Sequence, residues 1–296
     1  MPTRSETNST AIGFTSHTYG AWSTIARSTS AQRAPAADGS SNCAWVARSI
    51  IAFGAWVEQL IAESTGKEGK GILPVTGEDL GPPKAYGSDR LFVAYGEHEG
   101  LEGVEARGHP VIRIADGAAF GGEFFRWEFA TAVAGHVLDI NPFDQPNVEE
   151  AKRSTKQILE SGPGEAPGVD DVNALLGTLR RRDYVAIQAY VDPNVESEQA
   201  LQRARLAIRD RYKVATTLGF GPRYLHSTGQ FHKGGPDTGV FVQVVDRTHD
   251  ADVPIPGAPY TFGKLIDAQA LGDLLALRAQ GRRVGRVTLE QLEEVG

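Results

Sequence analysis

The chain has 296 residues, a formal net charge of −7 and an isoelectric point near 5.6. This acidic balance argues against nucleic-acid binding, which needs a basic surface. Hydrophobic residues (41%) and charged residues (23%) occur at levels typical of globular proteins, and no apolar run is long enough to cross a membrane. The single cysteine, Cys43, and the lack of an apolar signal-peptide core at the N-terminus favour the cytoplasm.

Residues 1–42 form the first distinct segment. They are rich in Ser, Thr, Ala and Gly and show no sustained hydrophobic periodicity. Such a segment cannot bury enough apolar surface to offset the entropy lost on ordering. We therefore expect a disordered tail, or residues translated from a wrong start codon.

A helix is predicted over residues 44–63, where apolar side chains recur at helical spacing. It should end near Ser64, with Gly66 as its C-terminal glycine. The segment Glu-Ser-Thr-Gly-Lys-Glu-Gly-Lys-Gly (residues 63–71) follows. It is not a P-loop, because Glu68 stands where that motif needs Ser or Thr and the upstream glycine is absent. Taken alone, the pattern is that of a helix cap followed by a flexible basic loop.

Three short apolar runs come next, at residues 72–75, 91–95 and 111–114. Each run is bounded by Gly, Pro or charged residues, which is typical of buried parallel strands. A helix is predicted after them, over residues 123–138.

A second helix start is predicted within Asn-Pro-Phe-Asp-Gln-Pro-Asn-Val-Glu-Glu-Ala-Lys (residues 141–152). Asp144 or Gln145 can cap this helix, and Pro146 suits its first position. Lys152 falls within the apolar stripe of the same helix. Two interpretations are open: a surface lysine that buries only its methylene groups, or an ammonium directed into a polar cleft.

The C-terminal part of the chain begins after a linker rich in Gly and Pro at residues 161–168. Beyond it, helices and strands alternate, which is the pattern of a layered α/β sheet. The predicted helices cover residues 169–181, 195–211 and 262–280, and the predicted strands cover residues 184–190, 213–218, 240–246 and 283–289.

The loop at residues 219–236 gathers polar side chains after a predicted strand, where ligands bind in open α/β sheets. It contains Arg223, His226, His232 and Lys233. His226 and His232 lack an acidic or cysteine partner at useful spacing, so we expect no metal. The density of polar groups indicates a functional loop.

Three of these segments resemble parts of glucose-6-phosphate isomerases. Residues 141–152 are similar to the C-terminal signature of that family, whose lysine works at the sugar ring. Residues 63–71 are similar to the segment with the catalytic glutamate, and Leu-His-Ser-Thr-Gly-Gln (residues 225–230) is similar to the element around the ring-opening histidine. In most of these isomerases the histidine comes between the other two segments. Here it follows both, through permutation or because the likeness is local.

From about Phe53 to the C-terminus, the chain most closely resembles the isomerase part of fused transaldolase/glucose-6-phosphate isomerase proteins. The resemblance implies an α/β fold: a SIS-like (flavodoxin-like) layered parallel sheet with helices on both faces. We expect it to be incomplete relative to a full isomerase with two SIS domains, because the Ser/Thr-rich phosphate loop and the Gly-Gly-Arg-Phe-Ser-like motif are not found. Residues 43–162 would form a SIS-like segment, and residues 163–296 a C-terminal α/β segment with the histidine loop.

The same resemblance implies the chemistry. His226 and Lys152 would exchange protons with the ring oxygen and the anomeric hydroxyl, and Glu63 would carry a proton between C2 and C1 through a cis-enediol. A carboxylate in the last turn of a helix faces the negative end of the helix dipole, which raises its pKa toward a value that suits a general base near neutrality. The expected substrate-binding side chains are Lys67, Gln145, Arg223, Gln230 and Lys233.

We therefore expect conversion between glucose 6-phosphate and fructose 6-phosphate without metal or cofactor. The expected assembly is a homo-oligomer, or an association with an N-terminal SIS or transaldolase half. The missing phosphate loop also fits a chain that is inactive alone. Two alternatives stay open: a sugar-phosphate-binding SIS-like module without turnover, and a fragment of a bifunctional transaldolase/isomerase. A transaldolase half would need a Schiff-base lysine in a (β/α)8 barrel, whose repeat pattern is not found.

Overall fold

The computed structural model describes residues 11–15, 43–96, 98–115, 120–144, 146, 155, 157–160, 168–245 and 252–295. Its strands form two four-stranded sheets with helices packed around them. The predicted layered α/β fold class is therefore confirmed. Within the described ranges, no helix is both long enough and apolar enough to span a bilayer.

The first sheet contains both antiparallel and parallel pairs. Its strands are β1 (Ala11–Thr15), β2 (Leu73–Val75), β3 (Arg90–Tyr95) and β4 (Val111–Ile114), in the order β2-β1-β3-β4. Strand β1 runs antiparallel to both neighbours, whereas β3 and β4 are parallel. The three predicted strands, β2, β3 and β4, therefore point in the same direction, and the antiparallel pairs come from β1, which lies between β2 and β3.

Strand β1 lies inside the segment that was expected to be a disordered tail, and that expectation does not hold for its five residues. Ile12 and Phe14 alternate with smaller residues, a strand-like pattern too short to change the average composition of residues 1–42. The rest of that predicted tail lies outside the described residues.

Helix α1 (Cys43–Thr65) covers the first sheet together with α3 (Phe120–Leu138). Phe53, Val57 and Ile61 recur every four residues on α1 and are buried in one cluster with side chains of β3 and α3. This is the apolar stripe that predicted the helix. A short helix, α2 (Leu101–Ala106), precedes β4 and was not predicted, because two buried side chains leave little periodicity to detect.

The second sheet is parallel throughout. Its strands are β5 (Tyr184–Tyr190), β6 (Ala215–Phe220), β7 (Gly239–Val245) and β8 (Arg283–Val287), in the order β6-β5-β7-β8. From β5 the chain continues to β6 on one side of β5, and it then crosses to β7 on the other side. That reversal is the topological switch point near which open α/β sheets bind ligands.

Helices cover both faces of the second sheet. Helices α4 (Val172–Leu176), α5 (Val195–Tyr212) and α8 (Leu289–Glu293) share one buried cluster with alternate residues of β5 and β7. Helices α6 (Gly229–Gly234) and α7 (Phe262–Ala279) contribute buried residues to clusters on the opposite face. Successive side chains of β5 and β7 point to opposite faces of the sheet, so both strands contribute to a hydrophobic core on each face.

In the C-terminal part, one helix and one strand have boundaries that differ from the predicted ones, for local reasons. Helix α4 covers five residues of the predicted 169–181, with Asp171 as its N-cap and Arg182 in a left-handed conformation (φ 71°) just before β5. Strand β6 begins two residues later than predicted, because Lys213 ends α5 with a left-handed φ of 59°. A left-handed residue cannot continue a helix or a strand.

One apolar cluster joins the two sheets. Ala62 of α1 and Leu73 of β2 pack with Tyr184, Phe231 and Phe241 of the C-terminal part. The segments before and after the predicted linker therefore share a buried contact. The predicted domain boundary at residue 162 stays a prediction.

Candidate functional site

A cavity of about 790 Å³ lies between the two halves of the chain. It is walled by α1, the end of β2, α5, the carboxyl end of β6 and the turn that follows β6. Its polar lining includes Glu58, Gln59, Thr76, Arg223, His226 and Ser227. The position beyond the end of a parallel strand is where this class of sheet binds ligands.

Glu63 lies in the last turn of α1 and is partly buried. Gln59, one turn earlier and part of the cavity lining, donates a hydrogen bond from Nε2 to Glu63 Oε2 at 3.2 Å. Burial raises the pKa of the Glu63 carboxyl, and the Gln59 hydrogen bond and the charges of His226 and Lys67 only partly oppose this rise. The raised pKa agrees in direction with the expectation from the helix end, although burial is the largest cause.

His226 and Arg223 are exposed and line the cavity. Both belong to a 3-10 turn, Arg223–His226, between β6 and α6. Tyr224, which lies between these two residues in the sequence, is buried and anchors the turn. Its hydroxyl donates a hydrogen bond to the Asp273 carboxylate at 2.5 Å. An anchored turn thus presents an imidazole and a guanidinium to the same space.

The glutamate segment and the histidine segment are in direct contact. A Cβ built on Gly66 would lie 2.3 Å from the Cα of Phe231, so only glycine permits this approach. Gln230 Nε2 donates to the Gly66 carbonyl at 2.9 Å, and the Gly69 N–H donates to the Gly234 carbonyl at 2.9 Å. Two segments 164 positions apart in the sequence are therefore fixed against each other.

Lys67 takes part in an internal contact. It is 2% exposed, and its Nζ donates to the Asn141 carbonyl at 2.8 Å and to the Asp144 carbonyl. The same ammonium pairs with the Asp144 carboxylate at 2.9 Å. Lys67 was expected to bind substrate, but these contacts instead tie the glutamate segment to the first residues of the 141–152 signature.

Gln230 and Lys233 are likewise held inside the protein. Lys233 Nζ pairs with Asp273 at 2.5 Å, and both side chains are almost fully buried. Neither Gln230 nor Lys233 lines the cavity. Both were expected to bind substrate; the structure gives them contacts that hold the histidine segment in place. Lys152 and Gln145, the remaining predicted site residues, lie outside the described residues.

His232 has a different environment from His226. It is 2% exposed, and its Nδ1 lies 3.0 Å from the Tyr184 hydroxyl. Burial, with the charges of Lys233 and Arg282, lowers its pKa to about 3. His232 is therefore a neutral core histidine. Within the part of the chain that the structure describes, no cluster of His, Cys, Asp or Glu could hold a metal ion.

Most of the cavity lining was not predicted from the sequence, including Glu58, Gln59 and Thr76. Glu58 and Gln59 lie on the cavity side of α1, and Thr76 Oγ1 donates to Glu58 Oε2 at 2.6 Å. Gln59 could have been found from its spacing, because it stands four residues before Glu63, on the same helix face. Glu58 and Thr76 meet only through the fold.

Part of the chain is similar in sequence to several glucose-6-phosphate isomerases. The chain is 26% identical to the glucose-6-phosphate isomerase of Clostridium tetani over 157 residues, 38% of this chain and 35% of the relative. It is 29% identical to that of Fusobacterium nucleatum over 150 residues (35% and 34%) and 28% identical to that of Lactobacillus helveticus over 174 residues (43% and 39%). The matches thus span little more than a third of the length of these relatives.

No family model and no solved structure matches the chain. The similarity to several curated isomerases supports the resemblance carried by the three sequence segments. Part of this chain is therefore a region similar to glucose-6-phosphate isomerases.

Proposed function

We propose that the chain takes part in the interconversion of glucose 6-phosphate and fructose 6-phosphate, with Glu63 as the proton carrier. The observation that carries this proposal is the contact between the glutamate and histidine segments. It brings a carboxyl with a raised pKa under the electrostatic influence of His226, beside a cavity large enough for a sugar phosphate.

Each group suits one step of the reaction. His226 exchanges a proton with the ring oxygen as the sugar opens. Glu63 then removes the proton from C2 of the open chain and returns it to C1, through a cis-enediol. A general base works best when its pKa is close to the working pH, so the upward shift at Glu63 favours this step. The role of Lys152 in ring opening comes from the resemblance alone.

A cation near the cis-enediol would stabilise its developing negative charge. Arg223 fits this role, because it lines the cavity and its guanidinium forms no hydrogen bond or ion pair with any described residue. Lys67 and Lys233 are less suitable, since Asp144 and Asp273 already neutralise their charges. Arg223 is therefore the cation that we assign to the enediol.

The relatives are more than twice as long as the matched region. We therefore propose that the active assembly includes further protein: a second copy of this chain, or an N-terminal SIS or transaldolase half. Activity should accordingly be assayed with the chain alone and with the chain mixed with any such half encoded beside it.

The decisive variant is Glu63→Gln, which keeps the shape of the side chain and removes the base. Isomerisation should fall at least about a hundredfold, the lower end of what general acid–base catalysis contributes. Binding of fructose 6-phosphate should be nearly unchanged. Exchange of the C2 proton of glucose 6-phosphate with deuterium in the solvent, followed by NMR, measures the proposed step directly.

Glu68→Gln is the matched control. It makes the same chemical change five residues away, at an exposed position outside the cavity, and should leave activity unchanged. An active assembly in which Glu63→Gln still exchanges the C2 proton at the wild-type rate would disprove the assignment of Glu63. If sugar phosphate binds but no assembly turns it over, a binding module without catalysis replaces the isomerase proposal.

A further inference from the structure

Glu58 is a cavity carboxylate that the isomerisation chemistry leaves without a role. It lies on α1, and its side chain is partly buried against the cavity. Thr76 Oγ1 donates to Glu58 Oε2 at 2.6 Å. Oε1 accepts no hydrogen bond from any described residue. One carboxylate oxygen is thus held in place while the other has no protein donor.

The two cations near Glu58 do not pair with it. Arg205 directs its guanidinium to the backbone carbonyls of Thr76, Gly77 and Thr216, at 2.9–3.1 Å. Arg223 makes no ion pair with any described residue. Both charges lower the pKa of Glu58, but burial is the larger cause and the net shift is upward. The carboxylate is therefore less well solvated than a surface glutamate.

A partly desolvated carboxylate oxygen gains from a donor that can enter the cavity. Sugar hydroxyl groups are such donors, and a carboxylate can accept from two neighbouring hydroxyls at once. A phosphate group would instead meet a like charge at this position. The surroundings of Glu58 thus favour the neutral, hydroxyl-bearing part of a sugar phosphate over its charged end.

We propose that Glu58 is a specificity-determining residue, whose free carboxylate oxygen accepts hydrogen bonds from hydroxyl groups of the bound sugar. This inference rests on the proposed function, because it assumes a sugar phosphate in the same cavity. The neighbouring residue on α1, Gln59, holds Glu63. Successive residues of one helix would therefore help to bind the sugar and to position the base.

The competing explanation is that Glu58 only holds Thr76 at the end of β2. The two roles differ in one measurable way. A structural role would change the affinity for every sugar phosphate by a similar factor. A contact with particular hydroxyls would change only the affinity for sugars that carry those hydroxyls.

The test measures dissociation constants by calorimetry for the full chain and for its Glu58→Gln variant, in the assembly used for activity. The ligands are glucose 6-phosphate and its 3-deoxy and 4-deoxy analogues. The wild-type protein should bind glucose 6-phosphate at least about tenfold more tightly than one of the analogues, as expected when a charged acceptor loses its donor. In Glu58→Gln this ratio should fall toward one.

Two further variants make the result interpretable. Glu196→Gln, at an exposed position of α5 outside the cavity lining, should keep the wild-type ratio. Glu58→Asp keeps the charge but withdraws it by one methylene group, and it should also lose the discrimination; it replaces Glu58→Gln if that variant does not fold.

The inference is overturned if the ratio is the same with and without the Glu58 carboxylate, if all three affinities fall together, or if the wild-type protein binds none of the sugars. The proposed function can fail separately. Discrimination that depends on Glu58, in an assembly without turnover, would keep this inference and reject the isomerase. Turnover with no effect of Glu58 on discrimination would keep the isomerase proposal and reject this inference.

Discussion

Glu63 and Lys67 stand four residues apart in one motif, yet their surroundings give them different tasks. Glu63 stays partly exposed beside the cavity, with a pKa raised by burial. Lys67 is 2% exposed and holds two backbone carbonyls and the Asp144 carboxylate. A buried ammonium needs this full set of acceptors, so it cannot also bind a substrate phosphate. Burial therefore separates the residue that we propose as the base from the structural lysine of the same motif.

A pH-dependent contribution to stability is expected from His232. Its pKa is about 3 in the folded protein against an ordinary value of 6.5, so the unfolded chain binds a proton more readily than the native one. The free energy of unfolding should fall as pH drops from about 6.5 toward 3. This residue alone should contribute up to about 1.4 kcal/mol per pH unit in that range.

Urea unfolding of the wild-type protein and His232→Gln, measured at several pH values between 7 and 4, tests this expectation. The variant loses the Tyr184 contact and is destabilised at pH 7, but its stability should depend less steeply on pH. His136→Gln, at an exposed position of α3, should retain the wild-type slope. Equal slopes for His232→Gln and wild type would show that His232 does not resist protonation in the native state.

At the residue scale, the sequence indicated which polar side chains belong to candidate functional segments, but not which contacts those side chains make in the folded protein. It selected Arg223 and His226, which line the cavity, and Glu63, which is not part of the lining but accepts a hydrogen bond from the lining residue Gln59. It also selected Gln230 and Lys233, whose partners, Gly66 and Asp273, are 164 and 40 positions away. A sequence pattern shows that a residue is polar. It does not show whether a distant carboxylate or carbonyl already satisfies that residue.

At the scale of elements, the approach of α6 to the end of α1 should be the most sensitive contact of the candidate site. Gly66→Ala would place a methyl group 2.3 Å from the Cα of Phe231 and 2.8 Å from the Ala62 carbonyl. Both obstacles are backbone atoms that cannot rotate away, so α6 must move away from α1 and the end of α1 must distort. We expect a loss of stability of about 3 kcal/mol or more, above the usual cost of overpacking a core, together with loss of the proposed isomerase activity.

Gly69→Ala is the control for this prediction, and chemical denaturation measures both variants. Gly69 has a φ of 71°, but a Cβ added there would meet no atom within 4 Å, so alanine costs only the backbone strain of about 1 kcal/mol. If Gly66→Ala were no more destabilising than Gly69→Ala, the close approach of the two segments would not exist in solution.

The elements that sequence reasoning predicted well are those stabilised by their own residues. Strand β5 was predicted at residues 184–190 and is found there, because its apolar and aromatic run, interrupted only by Gln188, ends at charged residues on both sides. Strand β1 and helix α6 were missed. Strand β1 pairs with β2 and β3, which lie more than fifty residues away, and α6 is buried against α1. Elements that depend on distant partners carry little local signal.

On the scale of the whole molecule, charged residues of α5 connect the two sheets. Arg205 is 1% exposed and donates to carbonyls at the end of β2 and within β6. Glu78, which follows β2, accepts from Arg209 at 3.1 Å and from Thr216 at 3.1 Å. The same helix also forms a wall of the cavity. The distance between the walls of the candidate site therefore depends on this buried network.

Arg205→Met should accordingly weaken the whole molecule. It removes the Arg205 donor from the carbonyls of Thr76, Gly77 and Thr216, of which Gly77 keeps a hydrogen bond from Gln202, and it removes one of the two arginines beside Glu78. Breaking such a network costs about 3–5 kcal/mol. Arg203→Met, two residues earlier on α5, removes only an exposed pair with Glu293 and should cost about 0–1 kcal/mol.

Amide hydrogen exchange followed by mass spectrometry distinguishes how Arg205→Met acts. If the two sheets depend on each other through Arg205, protection should fall both in β2 and β3 and in β5 and β6, and the two sheets should lose protection by a similar factor. Loss confined to β6 would mean that Arg205 supports its own sheet alone, and that the apolar cluster of Ala62, Leu73 and Phe231 is sufficient to hold the halves together. Because the cavity is built from both halves, only the first outcome makes α5 a determinant of the site's shape.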